Sequence, residues 1–127
     1  MSFDIIGDIH GDVEKLEALL RLMDYRVSNG AWRHPQRQAI FVGDLIDRTP
    51  GQQRRTVELV RAMVDAGSAQ IVMGNHELNA IAFHTPDEDV PGEFLRPRRG
   101  SKGAANRKQH AAFLAEFEAH PVLLRET

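Results

Sequence analysis

Three short blocks carry the side chains best suited to chemistry: Gly7-Asp8-Ile9-His10-Gly11, Gly43-Asp44-Leu45-Ile46-Asp47-Arg48 and Gly74-Asn75-His76-Glu77. Asp8, His10, Asp44 and Asn75 offer oxygen and imidazole ligands of the mixed hardness that suits Mn, Fe or Zn, while Asp47, Arg48 and His76 offer charge and a proton donor. Water at neutral pH attacks phosphate esters poorly, and a pair of cations remedies this by acidifying the water and neutralising the phosphoryl oxygens. Together the blocks point to a two-metal hydrolase. Asp8 or Asp44 alone reads equally well as the cap of a helix that follows a strand. Three blocks in order, each after an apolar run that ends in glycine, make helix capping the weaker explanation. Arg48, directly after Asp47, presents a planar fork suited to two phosphate oxygens, against a surface ion pair as the plainer reading.

The elements that position these blocks follow from periodicity. Residues 3–7 (FDIIG), 39–43 (AIFVG) and 70–74 (QIVMG) are short apolar runs of the kind found in parallel strands. Val13, Leu16, Leu19, Leu20 and Met23 recur at helical spacing, with Asp12 and Glu14 at the favourable end of the macrodipole. Val57, Val60, Met63 and Val64 repeat the pattern after the break at Thr49-Pro50, with Gly67 at its end. Asn29-Gly30, between Val27 and Trp32, predicts a two-residue hairpin that places Tyr25 and Trp32 at an early edge of the fold. The expected order is βα, a hairpin, then βαβα, an α/β protein. A last helix containing His110, Phe113 and Phe117 is expected to stop near His120-Pro121.

At 127 residues, 42% hydrophobic and 27% charged, the chain fits a single domain over residues 1–127 with a real core. A formal charge of −2 excludes a global attraction to nucleic acid or anionic membrane. The absence of cysteine excludes disulfides and thiolate ligands and fits a reducing cytoplasm. The sequence enters strand-like residues at Phe3 with no charged-then-apolar leader, and no apolar run approaches a membrane span, so the expectation is a cytoplasmic protein with no membrane partner. Residues 85–108 read as a flexible insertion, acidic and turn-rich at first and then carrying six basic residues without an acidic one. That basic stretch lacks interleaved aromatics and reads as a solvated loop in preference to a polyphosphate contact. His34, His84, His110 and His120 are not assigned to metals, and His110 reads as a helix-face packing residue.

The blocks GDIHG, GDLIDR and GNHE resemble the signature of the calcineurin-like metallophosphoesterases, in the phosphoprotein-phosphatase branch, over residues 3–80. The element Trp32-Arg33-His34-Pro35 is similar to bacterial members resembling diadenosine tetraphosphatases and the phosphatase part of polynucleotide kinase-phosphatases. The resemblance implies the N-terminal half of an α/β/β/α sandwich, a mostly parallel sheet with flanking helices. It implies two divalent ions, Mn before Fe or Zn, with Asp8, His10 and Asp44 on the first and Asp44 and Asn75 on the second. Arg48, Asn75 and His76 would bind the phosphate, and His76 would protonate the leaving oxygen with Asp47 orienting it. The implied substrates are, in order, dinucleoside polyphosphates, phosphopeptides or phosphoproteins, and nucleic-acid ends.

Two departures from that pattern bear on function. Complete members carry two further histidine ligands in a second half, which this sequence does not supply, and Thr49 stands where glycine is common. An incomplete second metal site opens a competing reading, a non-catalytic metal- or phosphate-binding module for interaction or regulation. With only the first sheet present, one sheet face is expected to lie open, and a homodimer pairing those faces is the simplest way to cover it.

Overall fold

A computed structural model of the chain describes the backbone of residues 2–119 and the side chains of residues 2–116. The expected helix stop at His120-Pro121 and the side chain of Phe117 lie outside the described residues. The elements run β1 Ser2–Ile6, α1 Val13–Leu22, β2 Arg26–Ser28, β3 Ala31–Arg33, β4 Arg37–Phe41, α2 Gln53–Asp65, β5 Ala69–Ile71, α3 Asn75–Phe83, α4 Gly100–Gln109 and α5 Ala111–Ala119. β1, β4 and β5 form a three-stranded parallel sheet with β4 in the middle, and β2 and β3 form a separate hairpin.

Alternation along the strands decides what the sheet faces. Ile6, Ala39, Phe41 and Ala69 point into the core, where they meet Leu16 and Leu20 of α1 and Val57, Val60 and Met63 of α2. The amphipathic spacing of the two helices thus seals one face. Phe3, Ile5, Val42 and Val72 stand exposed on the strands and strand ends of the sheet.

The strands stop earlier than their apolar runs. β4 ends at Phe41 and β5 at Ile71, because Gly43 takes φ +89° and turns the chain out of the ladder. Asn29 and Gly30, at φ +50° and +80°, form the hairpin turn. The hairpin's aromatic partners lie in the core, not at an edge: Tyr25 and Trp32 are buried, and the Tyr25 hydroxyl donates to Asp4 Oδ2 at 2.9 Å.

Within residues 85–108, α4 forms from a sequence with little apolar periodicity. Arg98 anchors the stretch before it. Its guanidinium lies 3.7 Å from the Phe94 ring centroid and 4.6 Å from that of Phe83, while Nε donates to the Phe83 carbonyl at 2.7 Å. No helix among the described residues is long and apolar enough to cross a membrane.

Candidate active site

All three blocks lie at the C-terminal ends of parallel strands, where open α/β sheets bind ligands. Backbone hydrogen bonds join the first two: Ile9 and His10 N–H donate to the Asp44 carbonyl at 3.1 and 2.9 Å, and Thr49 N–H donates to the His10 carbonyl at 3.2 Å. The third block is brought in by glycine. A Cβ on Gly43 would overlap the Gly74 nitrogen, so the two loops touch backbone to backbone.

His10, Asp44, Asp47 and Arg48 are four of the six non-glycine residues with positive φ among the described residues. Backbone strain is therefore concentrated at this site, held in place by surrounding bonds. Gln53, fully buried, accepts from Asp47 N–H at 2.6 Å and donates to the Thr49 carbonyl at 2.7 Å. Thr49 itself keeps a negative φ, which explains why a side chain is tolerated there. Glu77 joins the second and third blocks, accepting from Leu45 N–H at 3.2 Å and Gly74 N–H at 3.4 Å. Burial pushes its carboxyl above the ordinary carboxylate range.

His76 sits at the meeting point. Its Nδ1 donates to Asp47 Oδ2 at 2.7 Å, its backbone N–H donates to Asp44 Oδ1 at 2.9 Å, and its ring lies edge-on to His10 at 4.6 Å. Arg48 is exposed and borders two grooves. One, of about 400 Å³, is lined by Asp8, His10 and Lys15, and the other, of about 640 Å³, by His76, Lys108 and Gln109. Lys108 of the basic stretch thus faces the same groove as Arg48 and His76.

The hydrogen bonds of the donor set suit it to a metal centre. His10 Nδ1 donates to the Ile46 carbonyl at 2.9 Å, so the neutral ring turns the lone pair of Nε2 toward Asp8 Oδ2, 3.6 Å away. A backbone carbonyl behind a histidine is the usual support of a ligating imidazole. The Asn75 carboxamide lies 2.9 and 3.1 Å from the two Asp44 oxygens. With its nitrogen turned inward it donates to both, and with its oxygen inward three acceptors face one another, an arrangement that a cation relieves. Among the described residues no group of three or more His, Asp or Glu side chains is disposed to hold a metal ion; His10 stands beside Asp8, and Asn75 beside Asp44. By chemistry and support, Asp8, His10, Asp44 and Asn75 fit divalent ions.

Four contributors escaped the sequence reading. Glu77 stands three residues after Gly74, where a glutamate reaches back to the N-cap N–H, a local signal that does mark it. Gln53, Glu116 and His110 carried no local signal: Glu116 accepts from Gln53 and Arg54 N–H at 2.7 and 3.1 Å and so caps α2 from α5. His110 is a buried partner of Asp47.

The chain belongs to the calcineurin-like phosphoesterase family, whose model matches residues 1–122. Members of this family use a dinuclear metal centre. The chain is 43% identical over 130 residues to the asymmetrical bis(5'-nucleosyl)-tetraphosphatase PrpE of Oceanobacillus iheyensis, covering 98% of this chain and 51% of that protein. PrpE of Bacillus subtilis is 38% identical over 80 residues, 60% of this chain and 31% of that protein. A symmetrical bis(5'-nucleosyl)-tetraphosphatase of Psychromonas ingrahamii is 36% identical over 84 residues, 66% of this chain and 27% of that protein. The chain spans about half the length of the first of these curated relatives and less of the others.

Proposed function

We propose that the chain is a metal-dependent phosphoesterase acting on nucleoside polyphosphates, with dinucleoside polyphosphates ahead of phosphopeptides and nucleic-acid ends. The observation that carries this reading is His76, bonded through Nδ1 to the buried Asp47 and bordering a groove with Arg48. With Nδ1 committed, Nε2 is the nitrogen left to pass a proton to a leaving oxygen. Arg48 and Asn75 hold the phosphate, Arg48 through its two-pronged donor geometry. Two divalent ions, manganese before iron or zinc, would be held by Asp8, His10, Asp44 and Asn75 and would supply Lewis-acid activation of water and charge neutralisation. The names of the tetraphosphatase relatives support the substrate order.

The test is turnover of diadenosine tetraphosphate, p-nitrophenyl phosphate and a phosphopeptide by the chain with Mn²⁺. The expected result is turnover that Asp44→Asn abolishes. Absence of turnover on all three, or full activity in Asp44→Asn, overturns the phosphoesterase reading. A phosphopeptide preferred by more than about tenfold in kcat/KM overturns the substrate order.

A second reading, a non-catalytic module holding one ion or a phosphate, draws on the pairing of the acceptors, His10 with Asp8 and Asn75 with Asp44. Calorimetric titration with Mn²⁺ separates the two readings. Two ions bound per chain favour the enzyme, and one ion without turnover favours the module. We further propose that a second copy of the chain covers the open sheet face.

A further inference from the structure

His110 is the group that the proposed chemistry leaves unused. It closes α4 and precedes α5, it is fully buried, and its Nδ1 lies 2.8 Å from Asp47 Oδ2. That is the same oxygen that His76 Nδ1 reaches at 2.7 Å. Asp47 is itself fully buried, so one carboxylate oxygen receives two imidazole donors from opposite directions in the chain, α3 on one side and the α4–α5 junction on the other.

The chemistry of that oxygen fixes both rings. A carboxylate oxygen accepts only, so both imidazoles must carry a proton on Nδ1. For His110 the consequence is costly in isolation. Its Nε2 is buried with no hydrogen-bond partner among the described residues, and its ring packs near Phe83, with centroids 6.1 Å apart. A histidine chosen for packing alone leaves that nitrogen as a desolvation penalty that an apolar ring avoids. The bond to Asp47 is what a phenylalanine in the same space lacks.

Asp47 needs such a second tether. It sits at φ +75° in a strained turn, and its Oδ1 is buried without a partner among the described residues, so the carboxylate is held by its Oδ2 bonds and by the Gln53 bond to its backbone N–H. With His76 as the only donor, carboxylate and ring could swing as a unit; a second, immobile donor on Oδ2 fixes the carboxylate against the core and His76 against the groove.

We propose that His110 is a positioning residue: its Nδ1–H clamps Asp47 Oδ2 and thereby orients the His76 imidazole. The proposal rests on the phosphoesterase reading for its effect on turnover, and on the structure alone for its effect on ring geometry.

The test therefore has an activity arm and a spectroscopic arm on the metal-free chain. Long-range proton–nitrogen NMR of the imidazoles is expected to show Nδ1–H on His110 and His76, with the His110 proton slow to exchange. An Nε2–H neutral tautomer at His110 overturns the proposal without any variant. His110→Phe keeps an aromatic ring and removes the donor, whereas His110→Asn keeps a donor near the Nδ1 position and loses volume. Expected are a Phe variant with lowered Tm, because the buried Asp47 carboxylate loses a donor, kcat lowered about tenfold to a hundredfold, little change in KM and shifted His76 ring signals. The Asn variant is expected to lose Tm yet recover most of kcat. A residue needed only for packing gives the reverse order, so higher kcat in the Phe variant than in the Asn variant overturns the proposal, as do unmoved His76 signals in the Phe variant. If the unaltered chain turns over no phosphoester, the function reading falls, and the NMR arm still decides the role of His110.

Discussion

Asp47 and His76 meet at 2.7 Å between a carboxylate with no exposed surface and a ring that keeps a margin on the groove. The pair joins a fixed anchor to a working edge: Asp47 is set by Gln53 at its backbone, and His76 by Asp44 at its own. Replacing Asp47 by Asn lets the amide nitrogen face two imidazole donors, or leaves a weaker acceptor. The expected outcome is a loss of about a hundredfold to ten-thousandfold in kcat with KM little altered. Steady-state kinetics on diadenosine tetraphosphate check this, and an unchanged kcat would remove His76–Asp47 from the mechanism.

Close approach of the loops predicts a contrast between two glycines of similar φ. Gly43 at +89° has the Gly74 backbone where a Cβ would sit, while Gly30 at +80° has open space around it. Gly30→Ala should cost about 1–2 kcal/mol, the left-handed penalty alone. Gly43→Ala should cost more than that, with a Tm lower by roughly 5–15 °C, because backbone must move as well. Equal Tm values for the two variants would show that the loops do not touch as described.

How much of this was legible in the sequence depended on distance along the chain. Asp8, His10, Asp44 and His76 were readable because each follows an apolar run by one to three residues, and the run fixes where it emerges. The Asn29-Gly30 turn was readable because two positive-φ residues leave few alternatives. His110 was not, since its bond to Asp47 spans 63 positions and its helical spacing from Phe113 mimics ordinary packing. α4 was hidden for another reason. Its sequence GSKGAANRKQ is interrupted by two glycines and has no apolar stripe, and it is held by contacts: Gly103 lies against the Arg98 backbone, and Asn106 Nδ2 donates to the Pro97 carbonyl at 2.8 Å.

Tyr25, the single tyrosine, makes the core titratable by ultraviolet absorbance. Burial, and then the bond to Asp4, push its phenol from 10.0 up to about 12, while the Arg37 guanidinium beside Asp4 holds that carboxyl below its ordinary 3.8. The signs differ. Tyr25, raised in the folded state, contributes stability that is complete below pH 10.0 and lost as pH rises through about 12. Asp4, depressed in the folded state, contributes stability present above 3.8 and lost as pH falls through its folded value. The expected phenolate midpoint is about 12 in the intact chain, and lower in Asp4→Asn, which removes the charge facing the hydroxyl. A midpoint near 10.0 in the folded chain would contradict the burial of Tyr25 against Asp4.

The open sheet face gives the last expected outcome. Phe3, Ile5, Val42 and Val72 are 51%, 74%, 37% and 57% exposed, with Gln38 and Gln70 joined by a 3.0 Å hydrogen bond beside them. Exposed apolar side chains on one sheet face favour association in soluble proteins, and among the described residues β1 and β5 are each paired on one side only. Two copies facing each other through this surface would form a closed isologous pair with a second core layer between the sheets. Light scattering of the chain at micromolar concentration is expected to give a dimer mass. Ile5→Lys should return it to a monomer with little change in intrinsic stability, since that side chain contributes little to the monomer's core. A monomer in the unaltered chain, or a dimer unaffected by Ile5→Lys, would place the contact elsewhere.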